Sequence, residues 1–216
     1  QISSSKDIKK VSMRELGLAT SLGWSGATTV SSTMHIAKRA NIEVFATGGI
    51  GGVHRDVGQS FDISQDLAAL SRISMVVVSA GAKSILDLPK TVELLETLGV
   101  SMVGFKTSEF PSFYSRSSGI KRVTKIDSVK KISEVFLNNR YLETLGATLV
   151  LNPTPAESEI PIEIMDPIIH SAMAELNKRG IGGKMVTPFL LSYIHKKTKG
   201  KSLDVNISLA LNNVQL

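Results

Sequence analysis

The pattern of apolar and polar positions changes between a helical and a strand-like period along the chain. Residues 27–40 carry an apolar side chain at every third or fourth position, which predicts an amphipathic helix. The short apolar run IEVFA follows and predicts a strand. The run MVVVSA at 75–80 is uninterrupted and rich in valine, as expected of a strand that is covered on both faces. Helix and strand therefore alternate in the first half of the chain.

The same alternation continues to the C-terminus. Two further strands are predicted at 100–105 (VSMVGF) and 147–153 (ATLVLNP). The remaining predicted helices lie at 89–99, 127–139, 162–179, 187–197 and 202–213. Pro89 occupies the first turn of its helix, and Asp127, Thr187 and Ser202 are the predicted N-caps of three others. This order of elements predicts an α/β fold, a three-layer sandwich with a mostly parallel or mixed sheet.

Composition narrows the class of protein. With 216 residues, 42% of them hydrophobic and 20% charged, the chain can bury the core of a single domain, 1–216. No apolar stretch approaches the ~20 residues that a membrane span needs. The lack of cysteine excludes disulfides, thiolate zinc sites and a cysteine nucleophile, and it suits a reducing interior such as the cytoplasm. The net charge of +6 favours the approach of an anionic ligand.

Two loops are expected to lie side by side, because ligands of parallel α/β sheets bind beyond the carboxyl ends of the strands. FATGGIGGVHR (45–55) follows the first predicted strand, and SAGAKSILD (79–87) follows the second. Glycines in the first loop permit positive φ angles and close approach of a ligand, and free N–H groups attract anions. We therefore expect phosphate there, although the pattern is neither a P-loop nor a dinucleotide-binding fingerprint.

Lys83 is the candidate nucleophile of the second loop. It lies among small residues at the mouth of a buried strand, where desolvation and a nearby helix N-terminus both favour the neutral amine. A neutral amine can attack a carbonyl carbon and form a Schiff base. The alternative is a lysine that only neutralises a phosphate or points into water.

The stretch FDISQDLAAL (61–70) places acidic and hydroxyl side chains between the two loops. In an extended stretch, Asp62, Ser64 and Asp66 would point to one side. Two carboxylates and a hydroxyl suit a hard cation such as Mg²⁺ or Mn²⁺, or the hydroxyls of a sugar. Ser64 or Asp66 could instead cap the helix whose apolar pattern begins at Leu67.

Several longer motifs resemble those of one family. The chain carries, in order, GATTV, TGGIGGVHR, FDIS, AGAKSILDL, YSRSSG, NPTPAE, TPFLL and NISLALNN. From about residue 9 to the C-terminus these are similar to the pseudouridine-5'-phosphate glycosidases, also called the indigoidine synthase A-like family. The resemblance implies reversible cleavage of the carbon–carbon glycosidic bond of pseudouridine 5'-phosphate to uracil and ribose 5-phosphate, with Mn²⁺ and in a homotrimer.

The resemblance also implies roles for particular residues. Lys83 of AGAK matches the Schiff-base lysine, and Asp62 of FDIS matches the aspartate that holds manganese largely through water. The matches to substrate contacts are Lys10, Val30, Ser64, Gln65 and Asp66 and, by position in their motifs, Thr47, His54 and Asn206. His54 could also be a metal ligand or a hydrogen-bond donor, and Arg55 could bind the ribose phosphate end or form an intersubunit ion pair.

One departure from the family pattern concerns the proton donor. The family's acidic glutamate lies well upstream of the KVS motif, whereas this chain opens at Gln1. We therefore expect that 1–216 is a glycosidase domain without its N-terminal part and that it is catalytically incomplete.

Two other functions remain open from the sequence. A Schiff-base lyase that acts on another sugar phosphate would use the same lysine and loops. A nucleotide-binding or RNA-binding protein would agree with the sequence pI of about 9.5, but aromatic residues are 5% of the chain and no basic stripe is present. We therefore expect no nucleic acid polymer and no membrane as partner.

Overall fold

A computed structural model describes residues 8–216, except for the side chain of Lys184. The described chain contains parallel strands, α-helices and two 3-10 helices, Met13–Glu15 and Gly183–Met185. The strands are β1 (Lys9–Val11), β2 (Gly26–Thr28), β3 (Val44–Ala46), β4 (Val76–Ser79), β5 (Ser101–Phe105), β6 (Thr124–Ile126) and β7 (Thr148–Leu151). The α-helices are α1 (Leu16–Ser21), α2 (Val30–Arg39), α3 (Val57–Ser60), α4 (Gln65–Leu70), α5 (Leu88–Thr97), α6 (Val129–Tyr141), α7 (Ile162–Lys178), α8 (Val186–Lys197) and α9 (Lys201–Gln215).

The strands form two parallel sheets. β1 pairs with β2, and the other five strands form a sheet in the order β3-β4-β7-β5-β6. Every strand pair is parallel, with Val77 opposite Leu149 in the centre of the larger sheet. The α/β class and the parallel sheet predicted from the sequence are thus confirmed.

Side chains of the central strands alternate between two apolar clusters. Leu149 and Leu151 of β7 belong to a large cluster that also contains side chains of α2, α4, α5, α7, α8 and α9. Val150 belongs to a smaller cluster with Val78, Val103 and Ile132 of α6. Helices therefore cover both faces of the sheet, which makes three layers.

The sheet order brings the two sequence-predicted loops together. β3 and β4 are neighbours, so the glycine loop after β3 runs parallel to the Lys83 loop after β4. Ile50 and Ala82 form a parallel bridge, the Ile50 amide donates to the Gly81 carbonyl at 3.0 Å, and the Lys83 amide donates to the Ile50 carbonyl at 3.2 Å.

Three of the predicted helix starts were wrong. Ser128, not Asp127, caps α6 by accepting a hydrogen bond from the Lys131 amide at 3.4 Å. Thr187 lies inside α8. This helix continues directly from the 3-10 helix Gly183–Met185, so the N-cap of α8 is Met185. Gly200, in a left-handed conformation with φ 92°, is the N-cap of α9, two residues before the predicted cap Ser202. Ser202 is therefore buried inside the helix. In the part of the chain that the structure describes, no helix combines the length and apolar character needed to cross a membrane.

Candidate active site

A cavity of about 810 Å³ lies at the carboxyl ends of β3 and β4. Nine of the ten residues predicted from the sequence line it: Lys10, Val30, Thr47, Asp62, Ser64, Gln65, Asp66, Lys83 and Asn206. The tenth, His54, is not among the lining residues. It lies behind Asp62, with its Nε2 atom 3.7 Å from Asp62 Oδ2 and its amide donating to the Asp62 carbonyl at 3.0 Å.

Lys83 presents a half-buried amine to this cavity. Its backbone is fixed on both sides, because its amide donates to Ile50 and its carbonyl accepts from the Leu86 amide at 2.9 Å. Burial lowers the pKa of Lys83, the positive charge of Lys10 acts in the same direction, and the negative charge of Asp66 opposes both. The neutral, nucleophilic form is therefore more populated than in an exposed lysine.

Asp66 is buried and its carboxylate joins two elements of the cavity wall. Oδ1 accepts from the Ser31 amide in the first turn of α2 at 2.9 Å, and Oδ2 accepts from the Gly51 amide at 2.8 Å. Asp66 lies in the first turn of α4, whose N-cap is Ser64, so the extended stretch expected from Asp62 to Asp66 is wrong. The capping alternative is correct for Ser64, because the Asp66 amide donates to Ser64 Oγ at 3.2 Å.

The loop at 45–55 is rich in glycine because atoms of neighbouring residues occupy the space that larger side chains would need. A Cβ atom on Gly49 would lie 2.5 Å from the Phe113 ring, and one on Gly52 would lie 2.5 Å from Thr91 Oγ1. None of Gly48, Gly49, Gly51 and Gly52 has a positive φ angle. The expectation of a left-handed turn with free N–H groups is therefore wrong for Gly51, whose N–H already binds Asp66. Close packing explains these glycines instead.

One group of lining residues is basic. Lys10 of β1 and Arg14 of the first 3-10 helix both line the cavity, and the Arg14 amide donates to Gln65 Oε1 at 3.1 Å. Arg14 Nε also donates to Glu15 Oε1 at 2.8 Å. Burial works to raise the pKa of Glu15, but hydrogen bonds from Ser12 and Arg14 outweigh it and lower the pKa to about 2. We call Lys10, Arg14 and Gln65 the basic end of the cavity.

A second group of lining residues is aromatic and uncharged. The Phe113 ring is packed against Gly49, and Asn206 Oδ1 lies 3.2 Å from the point where a Cβ on Gly48 would be. Asn206 is held on α9, whose Asn213 donates to the Thr47 carbonyl at 2.8 Å. We call Gly48, Phe113 and Asn206 the aromatic end. Lys83 and Asp66 line the same cavity.

Sequence reasoning missed Phe113, Arg14 and the Asn213 contact. Phe113 directly precedes the motif YSRSSG, Arg14 lies in KVSMREL (10–16), and Asn213 is the last residue of NISLALNN. The family resemblance pointed to other residues in or near these motifs. Their signals were weak, because a phenylalanine, an arginine and a terminal asparagine acquire a role at the site only through contacts distant in sequence.

Asp62 could hold a metal ion only in a sparse site, that is, a site with few protein ligands in which water supplies most of the coordination. Its carboxylate lines the cavity, and 41% of its side chain is exposed. Among residues 8–216, no three His, Asp or Glu side chains cluster in a way that could hold a metal ion. The donor set therefore fits a cation that keeps most of its water, as Mg²⁺ and Mn²⁺ can, and does not fit a cage of protein ligands.

Fold and cavity together define a parallel α/β protein with a lysine-bearing cavity at the carboxyl edge of its sheet, lined by both basic and acidic side chains. The sequence matches the family described as "Indigoidine synthase A like protein" over residues 1–216. The chain belongs to this family.

Curated relatives of the chain share a common name. It is 49% identical over 211 residues to the pseudouridine-5'-phosphate glycosidase of Paracoccus denitrificans, a match that covers 98% of this chain and 69% of the relative. It is 45% identical over 215 residues to the protein of the same name from Staphylococcus aureus, covering 100% and 70%.

Two solved structures share the fold. An indigoidine synthase A-like protein from Thermotoga maritima superposes with a TM-score of 0.89 at 42% identity, covering 97% of this chain and 68% of that one. The prealnumycin C-glycosynthase AlnA, solved in complex with ribulose 5-phosphate, superposes with a TM-score of 0.92 at 36% identity, covering 98% and 70%.

Proposed function

We propose that this chain is a pseudouridine-5'-phosphate glycosidase, which cleaves the carbon–carbon bond between ribose and uracil reversibly. The observation that carries the proposal is the half-buried amine of Lys83, with its lowered pKa, in a cavity that has a basic and an aromatic end. The names of the curated relatives support the substrate, and the sugar phosphate bound to AlnA supports the class of ligand.

The two ends of the cavity suit the two ends of the substrate. Lys10 and Arg14 offer positive charge to a phosphate, and the Gly51 amide is not available for it because Asp66 accepts its hydrogen bond. The aromatic end offers the small accessible part of the Phe113 ring and the amide of Asn206, which can donate to and accept from a uracil edge. In this proposal the ribose carbon C1′ lies between the phosphate and the base and is the carbon that Lys83 attacks.

Lys83 supplies the electron sink that a carbon–carbon glycosidic bond needs. Opening of the ribose ring breaks the C1′–O4′ bond, and the neutral amine of Lys83 forms a C–N bond at C1′. The nitrogen lone pair then expels uracil: the C1′–C5 bond breaks, a general acid donates a proton to C5, and C1′ remains as an iminium on Lys83. In the complete enzyme that acid would be the family's glutamate, which lies upstream of the KVS motif. Water hydrolyses the iminium to ribose 5-phosphate and restores the amine, so that one water is consumed for each uracil released.

A divalent metal ion would be held at Asp62, and we propose Mn²⁺ as the cofactor. Bound there through water, it would offset the negative charge of the substrate phosphate. Asp62 is a lining residue with an accessible carboxylate, which supports this assignment.

The proposal includes assembly into a homotrimer and a cytoplasmic location. Leu203, Ile207 and Leu211 of α9 lie at four-residue spacing, and each is more than half exposed, which supports contact with a second copy. A phosphorylated substrate does not cross membranes readily, which supports an enzyme inside the cell. Sedimentation equilibrium should give three times the polypeptide mass, and a monomer would contradict the assembly.

Borohydride trapping tests the role of Lys83. Reduction in the presence of ribose 5-phosphate should attach the sugar covalently to Lys83, and Lys83→Ala should abolish both trapping and uracil release. Lys121→Ala, which changes an exposed lysine, is the matched control and should retain both. An adduct that maps to Lys10 would contradict the assignment.

A second reaction is favoured by one observation, the structural similarity to AlnA, which is a C-glycosynthase. A Schiff-base lyase or synthase that acts on another sugar phosphate would use the same lysine. A panel of sugar phosphates, with ribulose 5-phosphate included, separates the two reactions. Preferred trapping of ribulose 5-phosphate over ribose 5-phosphate would favour the second.

A further inference from the structure

Phe113 has an unusual backbone for a buried aromatic residue. Its φ angle is 59°, in the left-handed region that bulky residues rarely adopt. Five other non-glycine residues in the described part of the chain also have positive φ angles, but they are exposed, whereas Phe113 is 3% exposed. Such a conformation is strained and persists only where the surroundings fix the residue.

The surroundings of Phe113 do fix its backbone. Its amide donates to the Ala80 carbonyl at 3.1 Å, and its carbonyl accepts from Thr154 Oγ1. The preceding carbonyl, that of Ser112, accepts from the hydroxyl of Ser84, which directly follows Lys83 in the chain. The turn that carries Phe113 is thus tied to the loop that carries the nucleophile.

The Phe113 ring is fixed as well. It occupies the space in front of Gly49, where a Cβ atom would lie 2.5 Å from Cδ2 and 2.7 Å from Cε2. On another side it packs edge-on against Tyr114, with ring centroids 4.8 Å apart and an interplanar angle of 78°. Although buried, Phe113 lines the cavity. Because Phe113 is 3% exposed, only a small part of its ring reaches the cavity, and a contact with so little freedom selects ligands by shape at low entropic cost.

We propose that Phe113 is a specificity-determining residue whose fixed ring forms one wall of the nucleobase subsite. The inference rests on the proposed function and adds to it the surface that the uracil ring packs against. The edge of a fixed aromatic ring packs against a planar heterocycle with a definite geometry, so the contact acts on the base and not on the sugar phosphate.

The test measures base and sugar separately in the full protein. In the synthetic direction, Phe113→Leu should raise the KM for uracil about three- to tenfold, the loss expected for one aromatic contact. The KM for ribose 5-phosphate and its borohydride trapping on Lys83 should stay within about twofold, because neither involves the base. An equal rise in both KM values, or no change in either, would overturn the inference.

Two further variants separate specificity from folding. Phe110→Leu makes the same change at a buried phenylalanine of the same loop that does not line the cavity, and it should leave both KM values unchanged. Gly49→Ala keeps the ring but pushes it into the cavity, and it should also raise the KM for uracil selectively. If Phe113→Leu does not fold, Gly49→Ala replaces it as the test of the base contact. An unchanged KM for uracil in Gly49→Ala would contradict the inference. Failure of a complete enzyme, one that carries the family's upstream glutamate, to release uracil would instead contradict the proposed function.

Discussion

At the scale of the residue, Lys83 shows how the fold prepares an amine for attack. A lysine in water is almost fully protonated at neutral pH, so a nucleophilic lysine needs a lower pKa. Here burial lowers the pKa of Lys83 and the charge of Lys10 adds to the effect, while Asp66 limits it. The energy that makes the amine reactive comes at the expense of stability, because the folded state binds this proton less tightly than the unfolded state does.

This cost leads to a prediction on stability and pH. The folded pKa of Lys83 lies below the ordinary value of 10.5, so the penalty is present in full below the folded pKa. It decreases as pH rises from the folded pKa toward 10.5, and above 10.5 it is gone. Lys83→Met, which keeps the length and removes the charge, should therefore raise the urea midpoint at pH 7 and lose that advantage at high pH.

The measurement is urea denaturation at several pH values. Asp66 keeps its two backbone hydrogen bonds in the variant, so its own burial remains compensated. Lys121→Met serves as the exposed control and should show no pH-dependent difference. A variant less stable than the unmodified protein at pH 7 would contradict the prediction, even if Lys83 proved to be the nucleophile.

Single residues differ in how far the sequence could reveal them. The position of Lys83 at the cavity was predictable because its signal is local: small neighbours and a buried valine strand just before it. Phe113 was not, because its importance depends on a φ angle and on contact with Gly49, which is 64 positions earlier in the chain. The reason for the bare glycine loop was likewise visible only in three dimensions.

At the scale of the element, α9 holds the glycine loop through its last turn. Asn213 is 1% exposed, and its Nδ2 atom donates to the Thr47 carbonyl at 2.8 Å, while its Oδ1 accepts from Asn152 Nδ2 at 3.1 Å. Asn152 also donates to the Asn212 carbonyl at 3.2 Å. Two asparagines from different motifs therefore connect β7, α9 and the start of the glycine loop, and they set the position of Asn206 on the same helix.

Asn213→Ala should weaken both fold and site. It leaves the Thr47 carbonyl without its side-chain donor and removes one of the two acceptors of Asn152 Nδ2, and a buried group left unsatisfied costs about 1–3 kcal/mol. The free energy of unfolding, measured in urea, should therefore be lower in the variant by about 1–3 kcal/mol. The KM for the base should rise, because α9 also carries Asn206. Asn138→Ala, on an exposed position of α6, should change neither value. Unchanged stability of Asn213→Ala would show that water replaces the network.

Elements were predicted well where burial dominates and poorly where a turn decides the boundary. The strands at β4 and β7 are fully covered, so their apolar runs were unambiguous. The starts of α8 and α9 were misplaced because a 3-10 turn and a left-handed glycine lie before them, and neither changes the hydrophobic period. The short β1, β2 and β6 strands were missed, because none of them lies in an apolar run, whereas the equally short β3 lies in IEVFA.

At the scale of the whole molecule, strand order creates the cavity. β3 and β4 are adjacent, which places residues 45–55 beside residues 79–87, and β1 with α2 brings Lys10 and Val30 to the same cavity. The sequence predicted a common edge but not that order, because parallel pairing is set by packing between distant segments. Family motifs gave the site residues that spacing alone could not place.

The sparse metal site leads to the last prediction, which separates activity from stability. If Mn²⁺ is held through Asp62 and water, metal binding contributes little to folding, since a ligand stabilises only in proportion to the logarithm of its concentration over Kd. EDTA should therefore slow uracil release and shift the melting temperature by no more than about 2 °C at micromolar Mn²⁺.

Asp62→Asn should raise the Mn²⁺ concentration for half-maximal activity at least about tenfold, the size of effect seen when a metal site loses a supporting group. Asp56→Asn, an exposed aspartate in the same region, is the matched control and should leave that concentration unchanged. Full activity in EDTA would contradict the cofactor assignment. A large fall in melting temperature in EDTA would contradict the sparse site instead, because it would require a metal bound by several protein ligands that contribute to the stability of the fold.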